Sequence, residues 1–186
     1  MTAVVGRGGP VRGHPPPTLR GRALQWLAQR DHSRLELREK LLRWQAAHAN
    51  QAGHSAQALQ ATEEPPSPDA VDAVLDALQA AGHLSDERFA ESRIHARAAR
   101  FGNRRIAQEL RQHGAPAGDA ALQALKASEL DRARAVWQRK FSAPPASAAE
   151  RARQMRFLAG RGFTGDTIRR VLAAPDEDTG QDSSAP

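Results

Sequence analysis

The sequence predicts an all-α protein, an elongated tandem array of about nine short helices with no convincing strand. Three observations carry this expectation: a core vocabulary led by Leu and Ala with few aromatic residues, several helix-capping sequences, and an apolar spacing that returns three times. Hydrophobic residues make up 40% of the 186, with three Trp, five Phe and no Tyr. Any core therefore rests mainly on Leu, Ala, Val and Ile, which suits helix packing better than a sheet, where β-branched and aromatic side chains are favoured.

Residues 1–17 are rich in Gly, Pro and Arg without periodicity and read as a disordered basic arm. Leu19 to Arg30 places Ala23, Leu24 and Leu27 on one helical face. Ser33 opens a second helix with Glu36 three residues later, a capping box in which hydroxyl and carboxylate satisfy free backbone N–H groups. Leu37, Leu41 and Leu42 form its apolar stripe. Residues 46–66 are small and polar and end in prolines, which marks an inserted linker. Ser67, Pro68 and Asp69 then supply an N-cap, a first-turn proline and an N-terminal acid. The helix they open carries Val71, Val74, Leu75 and Leu78, and Gly82 closes it as a left-handed residue.

Ser85 starts the next helix, which runs through Phe89 and Ile94 to Phe101. Gly102-Asn103 break it before a helix with Ile106 and Leu110, stopped by His113-Gly114 and Pro116. A short helix at Ala120–Ala127 leads to another carrying Leu130, Ala133, Val136, Trp137 and Phe141, which Pro144-Pro145 end. A second capping box, Ser147 with Glu150, opens a helix with Ala152, Met155 and Leu158. Thr164 opens the last, with Ile168, Val171 and Leu172.

The same i, i+4, i+8 spacing follows three small or hydroxyl residues: Ser33, Leu37, Leu41; Gly102, Ile106, Leu110; and Thr164, Ile168, Leu172. Such a stripe is common to amphipathic helices and weighs little alone. The turns leading into it add weight, since LAQRDHS at Leu27–Ser33 echoes LAGRGFT at Leu158–Thr164. A helix hairpin cannot bury its apolar face alone, so repeated hairpins are expected to pack with a third helix and to touch mainly their chain neighbours.

The 27 Lys and Arg outnumber the 21 Asp and Glu, for a net charge of +6. From Pro175 onward the tail holds four acids and no cation, so the preceding body carries +10. A basic body points to polyanions or to an acidic protein surface, with a plain solvated surface as the alternative. No cysteine is present, which removes disulfides and thiolate chemistry. There is no signal-peptide core and no apolar run long enough for a membrane span, so a cytoplasmic location is expected. The seven His show no metal-ligand spacing, and His48 and His54 fall in the linker. Asp72 and Asp76 read as a solvated face, and Asp86, Glu87 and Glu91 as dipole-matching acids at a helix start. No nucleophile elbow, phosphate loop or dinucleotide fingerprint occurs, so neither an enzyme, a cofactor, a metal nor a small-molecule substrate is expected. At least two of Trp26, Trp44 and Trp137 are expected in cores.

The densest feature is a run of arginines over residues 88–111. Arg93, Arg97 and Arg100 step by three or four residues, Arg104 continues the series across the turn, and Arg105 and Arg111 lie beyond. These six are the candidate partner-binding residues, because a guanidinium stripe pairs with phosphates or carboxylates; a solvated helix face is the rival.

The string LAQRDHSRLELREKL from Leu27 to Leu41 resembles the opening signature of RecX proteins. The string GHLSDERFAESRIHARAARFGNRRIAQELRQHG resembles that family's central repeat, and RKFS with RFLAGRGFTGDTIRRVL its third. The likeness runs from Thr18 to Ala173 outside the insertion, with His83 and Ser142 as departures from family habit. It implies three tandem three-helix modules, each similar to a helix-turn-helix, that bind a RecA-type recombinase–DNA filament. It implies that they restrain its recombinase, ATPase and coprotease activities without catalysis. On this reading the first module spans 18–82 with its insertion at 46–66, the second 83–128 and the third 129–174, followed by a disordered acidic tail at 175–186. The protein is expected as a monomer, and direct contact with DNA stays open. The rival class is a helix-turn-helix transcriptional regulator, although the helices after the turns hold few Asn or Gln for reading base edges.

Overall fold

The computed structural model describes residues 18–52 and 67–173. The expected arm at 1–17, the rest of the insertion and the acidic tail lie outside the described residues. Eight helices follow in order: α1 (Leu19–Leu27), α2 (Arg34–Ala52), α3 (Pro68–Ala80), α4 (Asp86–Ala98), α5 (Asn103–Gln112), α6 (Asp119–Gln138), α7 (Ala148–Gly160) and α8 (Gly165–Leu172). No strand occurs among the described residues, and no helix there is long and apolar enough to cross a membrane.

Three hydrophobic cores succeed one another along the chain. The first joins Ala23 of α1, Leu37 and Leu41 of α2, and Val71, Leu75 and Leu78 of α3, with Leu84 sealing its end. The second gathers Phe89 and Ala90 of α4, Ile106 and Leu110 of α5, Ala115, and Leu125 of α6. The third is built from Ala133 and Val136 of α6, Leu158 of α7, Phe163, and Ile168 and Leu172 of α8. All six apolar positions of the repeated spacing are core residues. Each fully buried Leu among them contributes about 1.5–3 kcal/mol of transfer free energy.

Local chemistry starts the helices largely as the sequence indicates. Ser67 Oγ accepts from the Asp69 and Ala70 amides, and Pro68 occupies the first turn. Ser85, Ser147 and Thr164 cap α4, α7 and α8 in the same manner. Gly82 leaves α3 at a φ of 73°, the left-handed geometry that glycine adopts without a Cβ clash. The two capping boxes differ. Glu150 reaches back to the Ala146 amide at 2.7 Å, whereas the Glu36 carboxylate pairs with Arg30 instead.

Two expectations change. The short helix at Ala120–Ala127 and its successor are one helix, α6, so the described residues form eight helices where about nine were expected. No Gly or Pro interrupts the join, and Ser128 Oγ bonds back to the Ala124 carbonyl at 2.8 Å where a cap would turn forward. Consequently α6 passes from the second core into the third, and the boundary drawn between residues 128 and 129 falls inside it. Residues 46–52 of the expected insertion are helical, because α2 runs through its Ala-rich end to Ala52, consistent with the high helix propensity of Ala. His48 therefore sits in a helix, its ring 4.3 Å from that of Trp44. Trp26 and Trp137 pack against the first and third cores.

Candidate interaction surface

The first core is braced by ion pairs between α2 and α3. The Arg38 guanidinium donates to both Asp72 oxygens at 2.7 and 2.9 Å, and Arg34 lies 2.7 Å from Asp76. Asp72 and Asp76 are thus the partners of α2 and not a bare solvated face. The fork on Asp72 holds its carboxyl below the ordinary aspartate range. Behind the first turn, His32 is buried at 2% exposure. Its Nδ1 donates to the Arg30 carbonyl at 2.9 Å, which leaves Nε2 to accept from Lys40 Nζ at 2.9 Å. Burial lowers the His32 pKa, and the Arg30 and Lys40 charges lower it further against the hydrogen bond to the Arg30 carbonyl.

The joints between cores use carboxylates from a later helix to cap an earlier one. Asp86, at the start of α4, accepts from the Arg34 amide that opens α2 at 2.7 Å. At the second joint Glu129 of α6 is 4% exposed. Its Oε1 accepts from the Asn103 amide that opens α5 at 2.9 Å. Its Oε2 accepts from the Thr164 and Thr167 hydroxyls of α8 at 2.8 and 2.9 Å. One carboxylate therefore ties two helix starts together, where the positive end of each helix dipole favours it. Gly102 has no side chain for this task, and Glu129 replaces it from another helix.

One turn on, Arg132 donates to the carbonyls of Ala98, Phe101 and Leu125; burial lowers its pKa from the usual arginine value. The α4–α5 and α7–α8 turns meet backbone to backbone. The Gly102 amide donates to the Arg161 carbonyl at 2.9 Å and the Arg104 amide to the Gly162 carbonyl at 3.0 Å. A Cβ on Gly102 would stand 2.3 Å from the Phe163 nitrogen, and one on Gly162 would stand 2.5 Å from the Arg105 Cβ.

The six candidate arginines divide into groups. Arg93, Arg97 and Arg105 converge on Glu109 at 3.7, 3.0 and 3.6 Å. Arg93 and Arg97 are half-buried in this arrangement, and Arg105 also stacks on Phe101 with its guanidinium 4.3 Å from the ring centre. Arg104 and Arg111 are exposed and line an open cleft between α5, α6 and α8, beside Lys126 and Arg170. Arg100 points elsewhere, into a cleft shared with Arg139, Lys140 and Arg161. The continuous stripe inferred from spacing is therefore split, because Glu109 gathers three members and the α4–α5 turn redirects the others. Arg139, Lys140 and Arg161 escaped sequence reasoning, since they are distant in the chain from Arg100.

These features define a class: a tandem three-helix protein that offers open, cation-lined surfaces. A model of the second three-helix domain of RecX matches residues 85–121, and a model of the third matches residues 127–172. The regulatory protein RecX of Leptothrix cholodnii is 45% identical over 172 residues, covering 91% of this chain and 97% of that protein. The regulatory protein RecX of Ralstonia nicotianae is 44% identical over 165 residues, covering 87% and 90%. The crystal structure of RecX from Lactobacillus salivarius shares the fold with a TM-score of 0.57 at 16% identity, covering 83% of this chain and 92% of that one. The chain belongs to the RecX family.

Proposed function

We propose that this protein is a cytoplasmic regulator that binds a RecA-type recombinase–DNA filament and restrains its ATPase, recombinase and coprotease activities by occlusion, without catalysis. The observation that carries the reading is full-length similarity to proteins named regulatory, with 97% of one relative covered. Three successive cores supply the means. A monomer whose modules engage neighbouring recombinase subunits gains affinity by linkage, since each later contact forms at a high effective concentration. Among the six candidate arginines, Arg100, Arg104, Arg105 and Arg111 are exposed, and exposure supports Arg104, Arg105 and Arg111 of α5 as the proposed partner-facing positions. Arg93 and Arg97 hold the α4–α5 hairpin through Glu109.

The test adds purified protein to preformed filaments of the cognate recombinase on single-stranded DNA and follows ATP hydrolysis and strand exchange. Inhibition at substoichiometric to near-stoichiometric amounts is expected, and Arg104→Glu/Arg111→Glu weakens it. Unchanged hydrolysis and exchange at a several-fold excess of protein would refute the proposal.

A further inference from the structure

The chain holds three lysines, Lys40, Lys126 and Lys140, and their surroundings set one apart. Lys126 and Lys140 are exposed and line open clefts to which no histidine contributes. Lys40 is half-buried on α2. Its Nζ lies 2.9 Å from Nε2 of His32 and 4.5 Å from the centre of the Trp26 ring on α1. The local fold creates this meeting. His32 stands just before Ser33, whose hydroxyl caps α2 by accepting from the Glu36 amide at 3.1 Å. Lys40 follows about two helical turns later, which returns it to the side of the helix where the His32 ring is held.

The ring is fixed in both orientation and tautomer. Its Nδ1 donates to the Arg30 carbonyl at 2.9 Å and its side chain is buried, so Nε2 carries a lone pair directed at Lys40. Satisfying that buried nitrogen is a structural role, but any hydroxyl or amide donor at position 40 would fill it. An amine adds a nucleophile. Once deprotonated, Lys40 donates one N–H to Nε2 and keeps its own lone pair free for attack. Burial lowers the Lys40 pKa, the Arg30, Arg22 and Arg43 charges lower it further, and Glu36 opposes them. Half-burial leaves the amine open to a reagent from solvent, while the neutral imidazole behind it is closed off.

We infer that Lys40 is a site of acylation by acyl phosphates, with His32 as the proton acceptor. The free amine attacks the acyl carbonyl carbon, and an Nζ–C bond forms as the C–O bond to phosphate breaks. His32 Nε2 takes one proton from Nζ, and phosphate leaves with the electron pair of the broken bond. The buried imidazolium is disfavoured and gives that proton to the departing phosphate, which restores the neutral ring. The Arg22 and Arg43 charges beside Lys40 favour an anionic leaving group over a neutral one. The product amide still offers an N–H to His32 but has lost the charge over Trp26, so acylation removes the cation that ties α2 to α1. The site requires no recombinase, so it stands or falls apart from the filament proposal.

The experiment incubates the full-length protein with acetyl phosphate and follows acetylation of each lysine by peptide mass spectrometry. Near neutral pH Lys40 is expected to react several-fold faster than Lys126 and Lys140, although exposure alone would order the three the other way. The lead narrows as pH is raised from about 7 toward about 10, where ordinary lysines also shed their protons, and it vanishes in denaturing urea. His32→Gln, whose amide oxygen accepts the Lys40 hydrogen bond without taking a proton, loses most of the lead. A Lys40 rate no higher than those of Lys126 and Lys140 in the wild-type chain would overturn the site, a comparison that requires no variant to fold. An undiminished lead in folded His32→Gln would overturn the role of His32. An equal lead with uncharged succinimidyl acetate would overturn acyl phosphate as the donor class.

Discussion

Replacing Gly102 with Ala tests how the second and third cores are joined. The added Cβ would lie 2.3 Å from the Phe163 nitrogen and 2.4 Å from the Gly162 carbonyl carbon, and backbone atoms cannot yield as a flexible side-chain tip does. The φ of Gly102 is −81°, so Ala tolerates the local conformation and the effect reports contact alone. Relief requires the α4–α5 and α7–α8 turns to move apart, which stretches the Gly102–Arg161 and Arg104–Gly162 hydrogen bonds. Overpacking costs about 1–3 kcal/mol, and each weakened bond adds about 0.5–1.5 kcal/mol. A total near 3 kcal/mol lowers the Tm by roughly 6–12 °C for a chain of this size. Thermal unfolding followed by far-UV circular dichroism measures it. Gly118→Ala, where an added Cβ meets nothing within 4 Å, is the matched control and stays within about 0.5 kcal/mol. A Gly102→Ala protein as stable as wild type would show that the two turns do not bear on each other in solution.

Two further predictions concern buried polar groups. Glu129→Ala strands the Asn103 amide and removes the shared acceptor of Thr164 and Thr167, at a cost of about 2–4 kcal/mol. Glu129→Gln keeps an acceptor for the amide and recovers most of that loss, because the hydroxyls then accept from its NH₂; equal urea midpoints for the Ala variant and wild type would remove Glu129 from the joint. For His32, the folded state favours the neutral ring, so its pKa is lower folded than unfolded. Its contribution is therefore full above the unfolded value of about 6.5 and declines as pH falls below it, since the unfolded chain takes up a proton that the fold resists. Arg30 and Lys40 repel that proton and Glu36 attracts it. The urea midpoint of wild type should fall on acidification through this range, while His32→Gln shows a shallower dependence; parallel curves would contradict the assignment.

By itself the sequence determined the all-helical class, the caps at Ser67, Ser85, Ser147 and Thr164, and the core positions Leu37, Leu41, Ile106, Leu110, Ile168 and Leu172. These are legible because they depend on neighbours within a turn or two of helix, where spacing and backbone hydrogen bonding act directly. Tertiary structure decided what distance in the chain conceals. Asp72 and Asp76 find partners on α2, Glu109 collects Arg93, Arg97 and Arg105, and α6 continues through Ser128 to serve two cores. Glu129 caps α5 from 26 residues away, and Arg100 meets Arg139, Lys140 and Arg161 only because three helix ends converge. Charge and packing act across space without a sequence period, so the arginine run was visible in the sequence while its division into supporting, exposed and cleft-lining members required the fold.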